Sequence, residues 1–290
     1  MIIKILEPYP AINRALLTGI VGVNNKFIEY EEDMDPTMID AVVIRSHVTF
    51  NEQMIRTYPN IKYIFRVGVG TDNIDMDLAK RMNVQVLTTP GANTDSVAQL
   101  CIWGILSLLR RTYKKFGHID DRYSFMGQEL SGKTIGIVGF GNIGQKLYAL
   151  INAFGENQFI VYDPFINPKK WTQNNIRFVN DRSVLFQQSD IISFHIPLTP
   201  DTKNFLSGKD FSLLRPNVSI LNTSRGYIIN QDDLIDFLQT HPDSGAFLDT
   251  WNSEPDMPDN RLQYLENCII TPHIGAMTYQ AHGRMHNFAM

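Results

Sequence analysis

Short apolar runs alternate with polar stretches of helical length along the whole chain, the rhythm of βα units feeding a parallel sheet. In the first third, residues 2–6, 41–45, 61–65 and 84–87 are expected as strands, with helices over 51–57 and 76–81 between them. After the turn signal Thr89-Pro90-Gly91, residues 95 to about 115 have the length and pattern of a long, mostly buried helix bridging two domains. The alternation restarts at Lys133. Strands are expected at 134–138, 159–162, 190–194, 218–222, 246–249 and 268–270. Helices are expected from a glycine loop to about 154, near 181–188 and near 231–239. Six strands make a complete dinucleotide-type sheet. The fold class is therefore α/β with two doubly wound parallel-sheet domains, a smaller one over 1–90 and a Rossmann-type one over 91–276.

Composition narrows the class of function. A chain of 290 residues, 43% hydrophobic and 19% charged, is long enough to bury two cores. Twenty-six Lys and Arg against 30 Asp and Glu give a net charge of −4, without the basic excess that binding to a phosphate backbone draws upon, so no nucleic-acid partner is expected. Cys101 and Cys268 are too few for a disulfide framework and fall in no metal or redox spacing, which fits a reducing, cytoplasmic setting. The most apolar stretch, 97–109, is interrupted by Gln99, Gly104 and Ser107 and falls short of the ~20 residues that cross a bilayer. The opening MIIKILEPYP has no cationic region leading into a long apolar one, so neither a signal peptide nor a membrane partner is expected.

Chemistry enters with the segment GKTIGIVGFGNIGQKLYAL, where Gly139, Gly141 and Gly144 stand in GxGxxG spacing after a β-rich strand and before a helix. The first glycine permits the tight turn, the second admits a pyrophosphate to the backbone, and the third lets helix pack on strand, with the helix N-terminus attracting the anion. Asp163 ends the next strand, 19 residues after Gly144, where a carboxylate accepts ribose hydroxyls and repels the extra phosphate of NADP. The cofactor expected is NAD. Alone, such glycines form an ordinary tight turn; the strand, the helix and the acid change that reading.

Three further segments, LNTSRG, FLDTWNSEP and TPHIGA, follow expected strand ends. Arg225 has the fork that grips a carboxylate, and His273 is the natural proton donor or acceptor near neutral pH. Glu254 is placed to orient that histidine and stabilise its charged form. Each has a structural reading as well: a surface ion pair for Arg225, a solvated loop charge for Glu254, a turn histidine for His273. Their joint placement points to a nicotinamide-dependent dehydrogenase or reductase of a 2-hydroxy or 2-oxo acid. Arg45 in VVIRSHV and Arg66 in IFRVGVG close two expected strands, and two guanidinium groups suit a second anion such as a phosphate. The alternative is that they pair with Asp72 or Asp75. His282 and His286 are four apart, but Gly283 stands where an HExxH zinc site needs Glu, so no metal is expected.

The motifs RVGVGTDNID, FMGQELSGKTIGIVGFGNIGQ, VYDP, HIPLTPDTKNFL, NTSRG, DTWNSEP and TPHIGA, spread over residues 66–276, resemble the D-isomer-specific 2-hydroxyacid dehydrogenase family, most of all its D-3-phosphoglycerate dehydrogenases. The resemblance implies Arg225, Glu254 and His273 as the catalytic trio. It implies NAD contacts at Asn142, Ile143, Asp163, Ile196, Thr223, Ser224, Asp249 and Gly275, with Asp249 meeting the nicotinamide carboxamide. It makes the loop Val67, Gly68, Val69, Gly70 the binder of the substrate carboxylate through backbone N–H groups. It adds residues 277–290 to a flavodoxin-like substrate domain, puts the active site in a cleft between domains, and implies a homodimer paired through the cofactor domain, in which Cys101 and Trp103 are core or dimer contacts. Gln99 replaces the family's usual Glu. Because the family's chain runs on beyond the counterpart of Met290, a looser first domain without amino-acid feedback control is expected. Rival readings are a broad 2-oxo acid or hydroxypyruvate/glyoxylate reductase and a catalytically idle NAD-sensing protein.

Overall fold

The structure, a computed structural model, describes residues 1–7, 26–46, 48–114, 119–254, 256 and 261–288. The chain divides into two compact units, one of Met1–Asn93 with Met277–Met290 and one of Thr94–Ala276.

In the first unit, strands β1 (Ile2–Ile5), β2 (Lys26–Ile28), β3 (Ala41–Ile44), β4 (Tyr63–Arg66) and β5 (Gln85–Leu87) form one sheet in the order β2-β1-β3-β4-β5. Every pair is parallel, which is the flavodoxin-like order. The sheet is apolar where helices cover it: Ile3, Ile5, Val42, Ile44 and Ile64 are buried. Helices α1 (Glu52–Thr57) and α2 (Met76–Arg81) start where the side chains of Asn51 and Asp75 accept the backbone N–H of Met54 (3.2 Å) and Leu78 (2.8 Å). Asp75 is thus a helix cap rather than an arginine partner. The closing helix Tyr279–Phe288 buries Ala281 and Met285, and Arg284 Nε donates to the carbonyl of Ala92 at 2.8 Å.

The second unit opens with α3 (Thr94–Leu109), shorter than the pattern suggests. Arg111 takes the left-handed conformation (φ 53°), the N–H of Thr112 reaches back to Ser107 O (3.1 Å) and that of Arg111 to Leu108 O (3.2 Å). This is a Schellman stop, made by an arginine where glycine is the usual signal. Strands β6 (Thr134–Val138), β7 (Gln158–Tyr162), β8 (Ile176–Phe178), β9 (Ile191–Phe194), β10 (Ser219–Asn222), β11 (Gly245–Leu248) and β12 (Cys268–Ile270) build a parallel sheet in the order β12-β11-β10-β9-β6-β7-β8. Seven strands replace the six expected, the extra one being β8, a three-residue edge strand with only partial burial. The direction of winding reverses between β6 and β9, the switch point outside which such sheets bind ligands. Helices α4 (Asn142–Ile151), α5 (Arg182–Gln188) and α6 (Gln231–Thr240) follow β6, β8 and β10. Apolar clusters lie on both faces, one around Phe194, Ile220 and Leu234, the other around Cys101, Ile105, Phe140 and Phe247.

Candidate active site

Because all seven strands of the second unit run parallel, the loops that follow them leave the same edge of the sheet. Gly139 and Gly141 follow β6, Asp163 follows β7, Ile196 follows β9, Thr223–Arg225 follow β10, Glu254 follows β11 and His273 follows β12. One topological fact gathers the expected residues of this unit to one side.

The glycine loop has the geometry of a nucleotide cradle. Gly139 turns at φ 88°, and a Cβ there would lie 2.6 Å from His195 O; a Cβ on Gly144 would lie 2.3 Å from Gly139 O, so both positions are closed to any side chain. Gly141 is the opposite case. It is the N-cap of α4, exposed, without a side-chain cap, and a Cβ there would meet nothing within 4 Å. An open backbone at the start of a ten-residue helix, with Asn142 and Ile143 as its first residues, fits a pyrophosphate. Asp163 accepts the N–H of Phe140 at 2.7 Å through one oxygen and that of Phe165 at 2.9 Å through the other. The carboxylate braces the loop and retains acceptor capacity for a ribose hydroxyl. The residues present therefore fit NAD.

The chemistry-bearing trio is assembled by close backbone contact. His273 sits at φ 52°, a conformation uncommon for histidine, with its N–H on Thr271 O (2.9 Å). Its Nδ1 lies 2.5 Å from Glu254 Oε2, while Glu254 Oε1 accepts the N–H of Trp251 at 2.9 Å. Nδ1–H thus donates to a carboxylate that is itself held in place, and Nε2 remains for proton exchange. The pair is partly open, at 35% and 24% side-chain exposure, so a substrate has access to it. Arg225 belongs to a turn folded around buried Asn222, whose Oδ1 accepts Ser224 N (3.0 Å) and Oγ (2.7 Å) and whose Nδ2 donates to Arg225 O (2.8 Å). Gly226 brings this turn against the backbone of Trp251 and Asn252, where a Cβ would stand 2.0 Å from Trp251 C. Tyr227 and Ser253 close the same seam with a hydroxyl pair at 3.1 Å. The loop with Arg225 and the loop with Glu254 are thereby locked together.

Asp249 has a structural part in the site. It is fully buried, Oδ1 accepts Thr271 Oγ1 (2.6 Å) and Ile274 N (2.8 Å), and Oδ2 accepts Gly275 N (2.7 Å). The carboxylate holds the turn that carries His273. Burial raises its pKa against the opposing pull of those hydrogen bonds. Gly275 stands where a Cβ would press on Asp249 Oδ2 at 2.9 Å.

In the first unit, the structure separates the two arginines. Arg66 is only 7% exposed; its Nη1 donates to Val67 O at 2.7 Å, and the guanidinium occupies the space a Cβ on Gly68 would need, 1.8 Å away. It braces the loop instead of standing open to an anion. Arg45 is half-buried, with Nη2 3.3 Å from Met277 Sδ. Val67 N donates to Ile44 O (3.0 Å) and Gly68 N to Thr89 Oγ1 (3.0 Å), so two of the four N–H groups of the expected anion loop are already bonded within this unit.

Three features here were not evident from the sequence: half-buried His195 and its hydrogen bond to Ser193, the bond between Cys101 and Thr223, and the contact at Gly226. The histidine and the glycine stood inside quoted motifs; the signal for Cys101 was absent, since a helix pattern does not say what its buried face touches. Among the described residues no group of His, Cys, Asp and Glu is placed to hold a metal, and no helix is long and apolar enough to cross a membrane. His282 Nε2 meets Met277 Sδ at 3.3 Å; the side chain of His286 lies outside those described.

Residues 102–275 match the family described as D-isomer specific 2-hydroxyacid dehydrogenase, NAD binding domain. A D-3-phosphoglycerate dehydrogenase of Synechocystis sp. is 35% identical over 246 residues, 83% of this chain and 44% of that protein. A hydroxypyruvate reductase of Thermotoga maritima is 36% identical over 253 residues, 85% of this chain and 81% of the other. The crystal structure of NAD⁺-bound 3-phosphoglycerate dehydrogenase of Entamoeba histolytica superposes with a TM-score of 0.83 at 27% identity, covering all of this chain and 92% of that one. The chain spans about half the length of the curated phosphoglycerate dehydrogenases it matches. A cradle shaped for NAD, at the carboxyl edge of a sheet wound in dinucleotide order, and a match across more than half the chain agree: the protein belongs to the D-isomer specific 2-hydroxyacid dehydrogenase family and carries its NAD binding domain.

Proposed function

We propose that the protein is an NAD-dependent oxidoreductase interconverting a D-2-hydroxy acid and a 2-oxo acid, with 3-phosphoglycerate and 3-phosphohydroxypyruvate as the preferred pair. The observation that carries the redox reading is the His273–Glu254 pair on the same sheet edge as the glycine cradle. Bound NADH supplies the hydride. His273 Nε2–H gives its proton to the carbonyl oxygen of the 2-oxo acid in reduction and takes it back from the hydroxyl in oxidation. Glu254 fixes the ring by accepting its Nδ1–H. Arg225 grips the carboxylate with two parallel N–H donors. Asp163 accepts ribose hydroxyls, which selects NAD over NADP. Trp103, 48% exposed on α3 and edge-on to Phe247 at 5.4 Å, supports pairing of two copies through the NAD domain, which light scattering measures.

The phosphorylated substrate rests on Arg45. A hydroxypyruvate or glyoxylate reductase is the second reading, favoured by the burial of Arg66, which leaves one guanidinium where two were expected. Comparing kcat/KM of the parent enzyme on 3-phosphohydroxypyruvate, hydroxypyruvate, glyoxylate and pyruvate separates the two. Charge-assisted hydrogen bonds of about 1.5–3 kcal/mol put the loss in Arg45→Ala at roughly tenfold to a hundredfold on the phosphorylated substrate, with far less on pyruvate. Equal losses on both substrates, or faster parent turnover of pyruvate, would establish the reductase.

A further inference from the structure

His282 has no task in the redox chemistry, and its zinc spacing with His286 lacks the glutamate such a site needs. The structure gives it other company. Its Nε2 lies 3.3 Å from Met277 Sδ, and Arg45 Nη2 reaches the same sulfur at 3.3 Å. A thioether has no proton to give, so both nitrogens are the donors and the imidazole carries its proton on Nε2. The two N–H groups therefore converge on one atom and stand within twice that distance of each other. All three residues belong to the first unit. Both donors are carried on braced backbone. Buried Glu7 accepts the N–H of Arg45 (2.8 Å) and of Val48 (3.0 Å) on one carboxylate oxygen, while Asn73 Nδ2 donates to the carbonyls of the same two residues at 2.7 and 2.6 Å. His282 lies near the start of the closing helix, where its N–H reaches Thr278 O (2.9 Å) and Thr278 Oγ1 caps Ala281 N (3.1 Å). Buried Ala281 and Met285 fix that helix on the unit.

A methionine sulfur is a weak acceptor on a stem with three rotatable bonds. A guanidinium and an imidazole aimed at it gain when an anionic oxygen takes its place, because charge-assisted N–H···O bonds are about twice as strong as neutral ones. The surroundings favour that exchange. Met277 is 43% exposed, so solvent and solutes reach the sulfur, and residues 277–290 include Arg284 and no acid. We propose that Arg45 and His282 form a two-donor subsite for a tetrahedral oxyanion, the phosphate of the substrate, and that the Met277 sulfur holds the place until the phosphate displaces it. The inference rests on the phosphorylated-substrate reading above. It supplies, from an imidazole, the second donor that buried Arg66 does not. His282 is in this account a specificity-determining residue, which touches the phosphate and not the reacting carbon.

The test uses the full chain with NADH and two substrates, 3-phosphohydroxypyruvate and hydroxypyruvate, which differ in the phosphate alone. His282→Ala is expected to raise KM for 3-phosphohydroxypyruvate about tenfold with kcat within about threefold, the worth of one hydrogen bond to a charged group. The ratio of kcat/KM on the phosphorylated substrate to that on hydroxypyruvate is expected to fall about tenfold with it. His282→Gln, whose amide keeps an N–H donor near the place of Nε2, is expected to hold that ratio within about threefold of the parent. His282→Glu, which sets a carboxylate against the phosphate, is expected to lower the ratio further than His282→Ala. Equal losses on both substrates in His282→Ala, or a ratio no better in His282→Gln than in His282→Ala, would overturn the subsite and leave the phosphorylated-substrate reading in place. A parent enzyme that turns over hydroxypyruvate more efficiently than 3-phosphohydroxypyruvate would overturn both.

Discussion

Replacing Gly226 by alanine tests whether the seam between the two loops governs the chemistry. The added Cβ would sit 2.0 Å from Trp251 C, 2.2 Å from Trp251 O and 2.5 Å from Asn252 N. All three are backbone atoms, and the shortest approach is roughly 1.4 Å inside ordinary contact, so rotating a side chain gives no relief. One loop must retreat by about an ångström, carrying Arg225 away from the turn that holds Glu254. Overpacking of this kind costs about 1–3 kcal/mol of stability, and a misplacement of that size costs about a hundredfold in rate. Thermal melting and steady-state kinetics on the same preparation separate these effects. Gly226→Ala is expected to remain folded, to bind NADH within a few-fold of the parent, and to lose about a hundredfold in kcat/KM for the 2-oxo acid. Turnover within threefold of the parent would refute the claim that this contact sets the geometry of the trio.

Asp163→Ala is expected to lower kcat/KM for NADH and narrow the preference over NADPH; an unchanged ratio of the two efficiencies would remove Asp163 from that role. Asp249, whose folded pKa lies above the ordinary carboxylate value, binds its proton more tightly in the folded chain, so its contribution to stability is full below about pH 4 and is lost as pH rises through the folded pKa. The melting temperature of the parent minus that of Asp249→Asn, which does not titrate, is therefore expected to be larger at pH 4 than at pH 7, and a difference that grows with pH would contradict it. Gly283, inside the closing helix with nothing within 4 Å of a Cβ, is expected to gain up to about 1 kcal/mol on change to alanine, measured by urea unfolding.

Elements with a local physical signal could be read from the sequence. Helix Met76–Arg81 is bounded by the capping side chain of Asp75, and strand Thr134–Val138 by its β-rich run and the glycines after it. The three-residue strand Ile176–Phe178 escaped because it lies in a polar stretch and is half-buried through pairing with one neighbour. The end of α3 escaped because an arginine takes the left-handed stop. At the site, the trio and the glycine cradle announce themselves by residue type and position after strands. Partners do not: whether Asp249 faces a cofactor or the backbone of its own unit, and whether Arg66 stands open or braces a loop, depends on distant donors that no local pattern encodes.

The most direct test of hydride transfer to a 2-oxo acid is to supply NADH deuterated at the nicotinamide C4 with the substrate panel and to examine the product by mass and chiral analysis. One deuterium at C2 of a D-2-hydroxy acid and stoichiometric loss of NADH are expected, with both abolished in His273→Ala while NADH binding persists. A parent protein that binds NADH yet leaves every 2-oxo acid unlabelled would contradict it, and would mark the chain as an NAD-binding protein that does no chemistry on these substrates.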